Sequence, residues 1–502
     1  MKSTVALGLI AGLVQAAAAA DYAVVGAAEG FAYGVTGGGD ATPTIPADID
    51  ELKTLLTSED PAVIVLDKTY NFLGSEGTST ATGCAPYGTA TGCQEAIDAT
   101  GNWCSSDYPS VKVTYDEAAM EGIEVASNKT IIGVDDKGIM IGKGLRFTNG
   151  VSNIIVQNIM ITDLNPQYVW GGDALTFADS DLIWVDHVTT QYLGRQHYVF
   201  GQNPSSRITL SNNYINGYTN YSANCDSYHY WTVELVGTDD QITFQNNYVY
   251  HTSGRSPALS GSTLFHAVNS VWEDNNGHAI EGDTDGQGLF EGCVFNNVTT
   301  PIVDGYVGHV FAATSDNADE CSTYLGRACE ANSLTASGDF TTEDSSFFSN
   351  FTGLSIASAT SADEAASSVP DNAGFGKLSS SSSSSSSTSN AAAAAAVSAS
   401  SSAPQASRSA SASSAPSASS ASYSRPAASA TASATPSGLS MPQHGGGDGP
   451  SGHRPHPQDS GSAVPNYYTE SSGSSSSSSS GTKTSKCKRD AKLRRAQMAE
   501  AH

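Results

Sequence analysis

Residues 21–376 of this 502-residue chain predict an all-β fold of the solenoid type. Two observations carry that expectation. A short motif of alternating apolar and polar residues, ending in Asn or Asp, recurs with a period in the twenties, and the array shows no helical spacing. A third observation bounds it: from residue 377 the composition turns to Ser, Ala and Pro, which cannot bury enough apolar surface to offset ordering entropy.

The motif is read in NIIVQNIMIT, DLIWVDHVTT, RITLSNNYIN, QITFQNNYVY, TLFHAVNSVW and GLFEGCVFNN. Aligning these places Asn158, Asp186, Asn212, Asn246, Val268 and Cys293 at one repeat position, at intervals of 28, 26, 34, 22 and 25 residues. Each coil of a solenoid buries one face of every strand and stacks on the next. Asparagine suits the corner because it tolerates left-handed backbone and can hydrogen-bond the next coil. The longest interval, Asn212 to Asn246, holds GYTNYSANCDSYHYWTVELVGTDD. Loops leave the stack there, and inserted loops on repeat proteins gather on the binding face. Evenly spaced strands also describe a β-sandwich, the competing architecture. Open solenoid ends need covers: the helix-compatible segment Asp48 to Leu56 serves one end, and residues 301–376 the other.

Residues 1–20 carry Lys2, an apolar stretch and then a run of alanines, the order of a secretory signal peptide. No other segment approaches the roughly 18 apolar residues that span a bilayer. The expected product is secreted and extracellular, without a membrane partner. Residues 377–502 read as a disordered, O-glycosylated stalk with a solvated basic end, KCKRDAKLRR. The eight cysteines suit an oxidising compartment, and none forms a CxxC pair, which argues against structural zinc. Sequons for N-glycosylation occur at Asn128, Asn220, Asn297 and Asn350.

The net charge of −27 hides a division: the tail holds 11 basic and 5 acidic residues, leaving 12 basic against 45 acidic before it. So acidic a body repels polyanions, which argues against nucleic acid and disfavours a fully charged acidic polysaccharide relative to a neutral one.

The stretches VVGAAEGFAYGVTGGG, TDLNPQYVWGGDALT, DLIWVDHVTTQYLGRQHYVFG, NCDSYHYWTVEL and HTSGRSP resemble fungal pectin lyases of the pectate lyase superfamily (polysaccharide lyase family 1) across residues 22–376. The resemblance implies a right-handed parallel β-helix with an N-terminal helical cap and a cleft walled by long loops. It also implies a monomeric enzyme that cleaves methyl-esterified pectin by β-elimination, without calcium or any other cofactor. Elimination removes the proton on ring carbon 5, which an ester carbonyl acidifies. The enzyme must therefore supply a base, a cation facing the developing oxyanion, and help for the departing oxygen.

Arg255, in SGRSP, matches the family arginine assigned as the base. A guanidinium is almost always protonated, so at minimum Arg255 is expected to stabilise the enolate. Asp173 and Arg195 match further cleft positions. Where related pectate lyases bind calcium through three carboxylates, the resemblance places Asp173, Arg195 and Val199 here. An Asp173–Arg195 pair would substitute a fixed charge for the metal. Trp170, Tyr230 and Trp231 are expected to pack on sugar faces, and Trp184 and Trp272 to serve the core. His187, His197, His251 and His278 are expected in structural roles. The resemblance also implies disulfides Cys84–Cys104, Cys93–Cys225, pinning a loop over the cleft, and Cys321–Cys329. Cys293 is left buried, and Cys487 lies in the tail.

One departure stands out: Ala258 replaces the lysine expected three residues after Arg255. Two alternatives follow. The first is a weakly active or inactive pectin-binding homologue. The second is a galacturonan hydrolase, which would need paired carboxylates, for which only the adjacent Asp239 and Asp240 offer themselves.

Overall fold

The repeat folds as a right-handed parallel β-helix in a computed structural model that describes residues 22–99 and 102–378. The expected signal peptide, the serine-rich tail and Cys487 lie outside the described residues. A 14-stranded sheet bends into two faces, because the long strands Leu145–Gln157 and Leu175–Asp186 each run through a corner. A 9-stranded parallel sheet forms the third face. Period-2 alternation works on each face: Leu145, Phe147, Leu175, Phe177, Tyr198 and Phe200 point inward, and the residues between them point outward. Inside, Phe147, Phe177 and Phe200 stack at centroid spacings of 5.0 and 4.4 Å, and Trp272 stacks on Phe295 at 4.9 Å. Each such side chain contributes about 1.5–3 kcal/mol by leaving water.

The strand register corrects the repeat alignment. Asn158 is equivalent to His187, Asn212, Asn246, Asn269 and Gly292, all with positive φ. Asp186, Val268 and Cys293 are therefore each one residue away from the corner position expected for them. A left-handed corner is needed in every coil, but histidine and glycine satisfy it as well as asparagine does, so an alignment on residue identity slips. The corner asparagines bond neighbouring coils, as Asn158 Nδ2 does to the Gly133 carbonyl at 2.8 Å and Asn269 Nδ2 to the Gly292 carbonyl at 3.0 Å, and a second row of cross-coil bonds sits one residue later. Asn213 Nδ2 donates to Asn247 Oδ1 at 2.9 Å, and the Asn247 amide N–H donates to Ser270 Oγ at 3.0 Å. In the Asn212–Asn213 pair the first residue turns the chain and bonds Asp186 of the neighbouring coil, and the second bonds inside the core.

The N-terminal cover is the helix Ile49–Thr57. Asp48 accepts hydrogen bonds from the Asp50 and Glu51 amides at 3.1 and 3.0 Å, satisfying first-turn donors. Leu52 and Leu56 plug the open end of the core. At the other end Phe340 packs edge-on against Phe290 and Phe295. Only part of residues 301–376 covers that end, however. The remainder turns back as a strap: Phe347, Phe348 and Phe351 pack on Leu264, Leu289 and Phe311, and the helix Ala362–Asn372 packs on Val271 and Val294. The strap follows the corner row, meeting Asn269, Asn212 and Asn158 in turn.

A smaller four-stranded sheet, unforeseen in the sequence, is built from Thr78–Cys84, Glu95–Ile97, Ser110–Asp116 and Tyr168–Val169. The three disulfides are those the resemblance implied, and Cys293 is buried with a free thiol.

Candidate active site

On the outward side of one face, Glu124, Arg146, Thr176, Val199, Glu234, Ala258 and Glu281 occupy equivalent positions in successive coils. Alternation explains why they share a row: each is flanked in its strand by an inward-facing apolar residue such as Phe177, Val233 or Ile280. Arg195 and Arg255 reach this row from the segments just before their strands.

Both arginines meet at Glu234. Arg195 Nη2 lies 2.9 Å from Glu234 Oε2, and Arg255 Nη1 lies 3.0 Å from Glu234 Oε1. One carboxylate thus holds two guanidinium groups side by side. The Gln196 amide donates to Glu234 Oε2 at 2.7 Å. Burial opposes the charge on Glu234, but Arg195, Arg255 and Gln196 together outweigh it and hold its pKa below the usual carboxylate value. Asp173 stands 3.8 Å from Arg195 Nη1 and accepts the Gln196 backbone N–H at 2.8 Å. For Asp173 burial wins over Arg195, and its pKa rises. The expected Asp173–Arg195 pair exists, but Glu234 is the closer partner.

Glu281 completes the arrangement. It lies 3.3 Å from Arg255 Nε, accepts from the Tyr230 hydroxyl at 3.1 Å, and contacts His278 Nε2. Burial raises its pKa, yet His278 and Arg255 more than compensate and leave it lowered. Arg255 itself has φ +46°, a sparsely populated backbone that recurs where function dictates geometry. Arg195 packs on the Trp170 ring at 4.1 Å, and Arg255 lies 5.8 Å from the Tyr230 ring and 5.0 Å from the Trp231 ring. Arg195 Nε and Gln196 Oε1 are buried without a hydrogen-bond partner, so the site retains unspent capacity beside its cations.

A family model described as pectate lyase matches residues 1–378. The chain is 61% identical over 359 residues to a probable pectin lyase A of Aspergillus flavus, covering 71% of this chain and 94% of that one. It is 57% identical over 365 residues to a probable pectin lyase C of Aspergillus niger (73% and 97% covered) and 52% identical over 371 residues to pectin lyase B of Emericella nidulans (73% and 97%). The chain belongs to the pectate lyase family.

Within that family the site residues sort as follows. Arg255, Arg195, Asp173, Trp170 and Tyr230 come together, as the motifs implied. Trp231 does not offer a sugar-stacking face: it is 4% exposed, and its indole N–H donates to Gln94 Oε1 at 3.0 Å. It lies under Arg255 as a floor. Trp184 and Trp272 are buried, as expected. His187, His197 and His251 bond to Asp186, Thr190 and Asp274, whereas His278, expected to be structural, belongs to the site through Glu281. Asp240 is fully buried, bonding the Ser205 amide at 2.8 Å, with burial raising its pKa to about 7. It cannot touch a polysaccharide as a hydrolase acid.

The residues present do not fit calcium. Arg195 is held between Asp173 and Glu234, so a guanidinium already satisfies the carboxylates that a dication would need, and Val199 supplies no oxygen ligand in the row. Glu234 and Glu281 escaped the sequence reading. Each had a signal: Glu234 between Val233 and Leu235, and Glu281 directly after Ile280, alternate with inward apolar residues and so have to point out of the coil.

Proposed function

We propose that this protein cleaves methyl-esterified α-1,4-galacturonan by β-elimination, outside the cell and without calcium. The observation that carries the reading is the pair of guanidinium groups, Arg195 and Arg255, fixed by one buried carboxylate. Preorganised cations act where charge develops, and they need no reorganisation during reaction. Solvent water in the cleft accepts the carbon-5 proton and later returns one to the departing oxygen, while the electron pair moves onto the ester carbonyl as an enolate facing Arg255. Collapse of the enolate forms the C4=C5 double bond and breaks the C4–O bond, and the departing oxygen takes a proton. Two carboxylates hold Arg255, so it enters the reaction as a cation. Its first contribution is then to the enolate. Esterified units suit the site because the body is acidic and an ester acidifies the proton to be removed. Three disulfides support an oxidising, extracellular setting.

The test uses highly methylated pectin and reads near-ultraviolet absorbance of the unsaturated product, with and without a chelator. Product formation insensitive to chelation is expected. Reducing ends without the chromophore would instead indicate a hydrolase, and loss of activity on chelation would overturn the role given to Arg195.

A further inference from the structure

The segment from Glu29 to Tyr33 belongs to VVGAAEGFAYGVTGGG, a stretch that the arginine site leaves unused. It crosses the second face of the 14-stranded sheet, around the corner from the arginine row. There the Phe31 N–H donates to Thr243 Oγ1 and the Ala32 N–H to Thr209 Oγ1, each at 3.0 Å, and both threonines stand on strands paired with the far half of Leu175–Asp186. Gly30 and Gly34 have φ of +69° and +89°, and a Cβ on Gly30 would collide with Thr243. The backbone under Tyr33 is thus fixed, yet Tyr33 is 70% exposed. A large ring held out on a rigid turn adds nothing to the core and is free to meet a ligand.

Beside it, this turn, the strap and the segment around Arg327 form an open cavity of about 490 Å³, within the size range of small-molecule sites. Glu29, Tyr33, Arg327, Ser355, Ile356 and Ser358 line it. The Ser358 amide at 2.8 Å, the Ser358 hydroxyl and the Gln245 side chain at 3.4 Å all donate to Glu29 Oε2. Glu29 Oε1 accepts no hydrogen bond among the described residues. Burial opposes the charge on Glu29, but Ser358 and Gln245 outweigh it and lower its pKa, which keeps the carboxylate ionised as an acceptor. Arg327 is bound through both terminal nitrogens by Glu291, at 2.7 and 2.8 Å, so its charge is already met.

We propose that this cavity is a second carbohydrate site, which binds a neutral pyranose unit. Tyr33 packs on the apolar face of the sugar ring, and Glu29 Oε1 accepts from its hydroxyl groups. An ionised uronate is disfavoured, because Glu29 repels it and Glu291 already engages Arg327. Esterified galacturonan and a neutral polysaccharide such as a β-1,4-galactan both present this chemistry. Holding one stretch of polymer here raises the local concentration of the rest around the enzyme, without entering the elimination itself.

The test is electrophoresis of the native full chain through gels containing highly methylated pectin, β-1,4-galactan or de-esterified polygalacturonate. Tyr33→Ala should weaken retardation by at least one of the two uncharged polymers by about tenfold in apparent Kd, and the polymer affected identifies the source. Glu29→Gln should weaken the same retardation, whereas Tyr33→Phe, which keeps the ring, should preserve it. On a methylated galacturonate hexamer, kcat/KM should stay within about twofold of wild type in all three variants, which separates the cavity from the cleft and reports a folded enzyme. The inference does not rest on the lyase reading: absence of unsaturated product would sink that reading and leave the retardation standing. Retardation by both uncharged polymers unmoved in Tyr33→Ala and Glu29→Gln would overturn the second site. So would a hexamer kcat/KM that falls in step with retardation, or a Tyr33-dependent retardation confined to polygalacturonate.

Discussion

At the scale of single residues, the site turns on Glu234. Glutamine at this position keeps the shape but removes the charge that gathers Arg195 and Arg255. A hydrogen bond to a charged partner is worth about 1.5–3 kcal/mol, so Glu234→Gln should lower kcat on methylated pectin by roughly 10–100-fold. Circular dichroism should remain unchanged. A kcat within about twofold of wild type would mean that the arginines hold their places without this carboxylate. Because the Glu234 pKa lies below the usual range, the bridge persists in mildly acidic medium and is lost only as pH falls through that lowered value. The sequence revealed Arg255, Arg195 and Asp173 because they sit in distinctive loop motifs. It concealed Glu234 and Glu281 because their meaning depends on which coils stack, and strand register is not written in a local motif.

At the scale of elements, stacking is held by polar contacts within an apolar core. Asn247 accepts from both the side chain and backbone N–H of Asn213, at 2.9 and 3.0 Å, and donates to the Leu210 carbonyl at 2.9 Å. Replacing it with alanine leaves buried groups on the preceding coil, those of Asn213 and Leu210, without this partner, so Asn247→Ala should cost about 2–4 kcal/mol, read as a lower urea midpoint. A second element-scale tie is Glu291, which accepts from His266 at 2.7 Å and from both Arg327 terminal nitrogens at 2.7 and 2.8 Å. Burial opposes its charge, but these partners lower its pKa to about 2. Folding therefore favours the ionised form relative to an unfolded value of about 4.3. The resulting stabilisation, on the order of 3 kcal/mol, is complete above about pH 4.5 and disappears as pH falls toward about 2. Urea midpoints from pH 6 to pH 3 should fall less steeply in Glu291→Gln than in wild type, and parallel slopes would refute this. The solenoid and its N-terminal cap were legible because alternation and capping are local. The strap was not, because residues 345–376 contact the coils by position rather than by pattern.

At the scale of the whole molecule, the cleft is assembled from distant parts of the chain. Cys93 and Cys225 are 132 residues apart in sequence, and their bond fixes the N-terminal loop to the insertion that carries Tyr230 and Trp231. Gln94, adjacent to Cys93, donates to the Pro166 and Gly194 carbonyls at 3.2 and 2.9 Å and accepts the Trp231 indole N–H. The loop thus braces the floor beneath Arg255 and bonds the carbonyl next to Arg195. In the chain-entropy picture, closing so long a loop stabilises the fold by about 4–5 kcal/mol. The double variant Cys93→Ser, Cys225→Ser should therefore unfold at lower denaturant concentration. Because the brace shapes the cleft wall while Glu234 orients the arginines, KM for methylated pectin should rise several-fold with kcat close to wild type. If kcat fell with KM unmoved, the loop would be positioning Arg255 directly, and the division between a binding wall and a charged catalytic row would have to be redrawn.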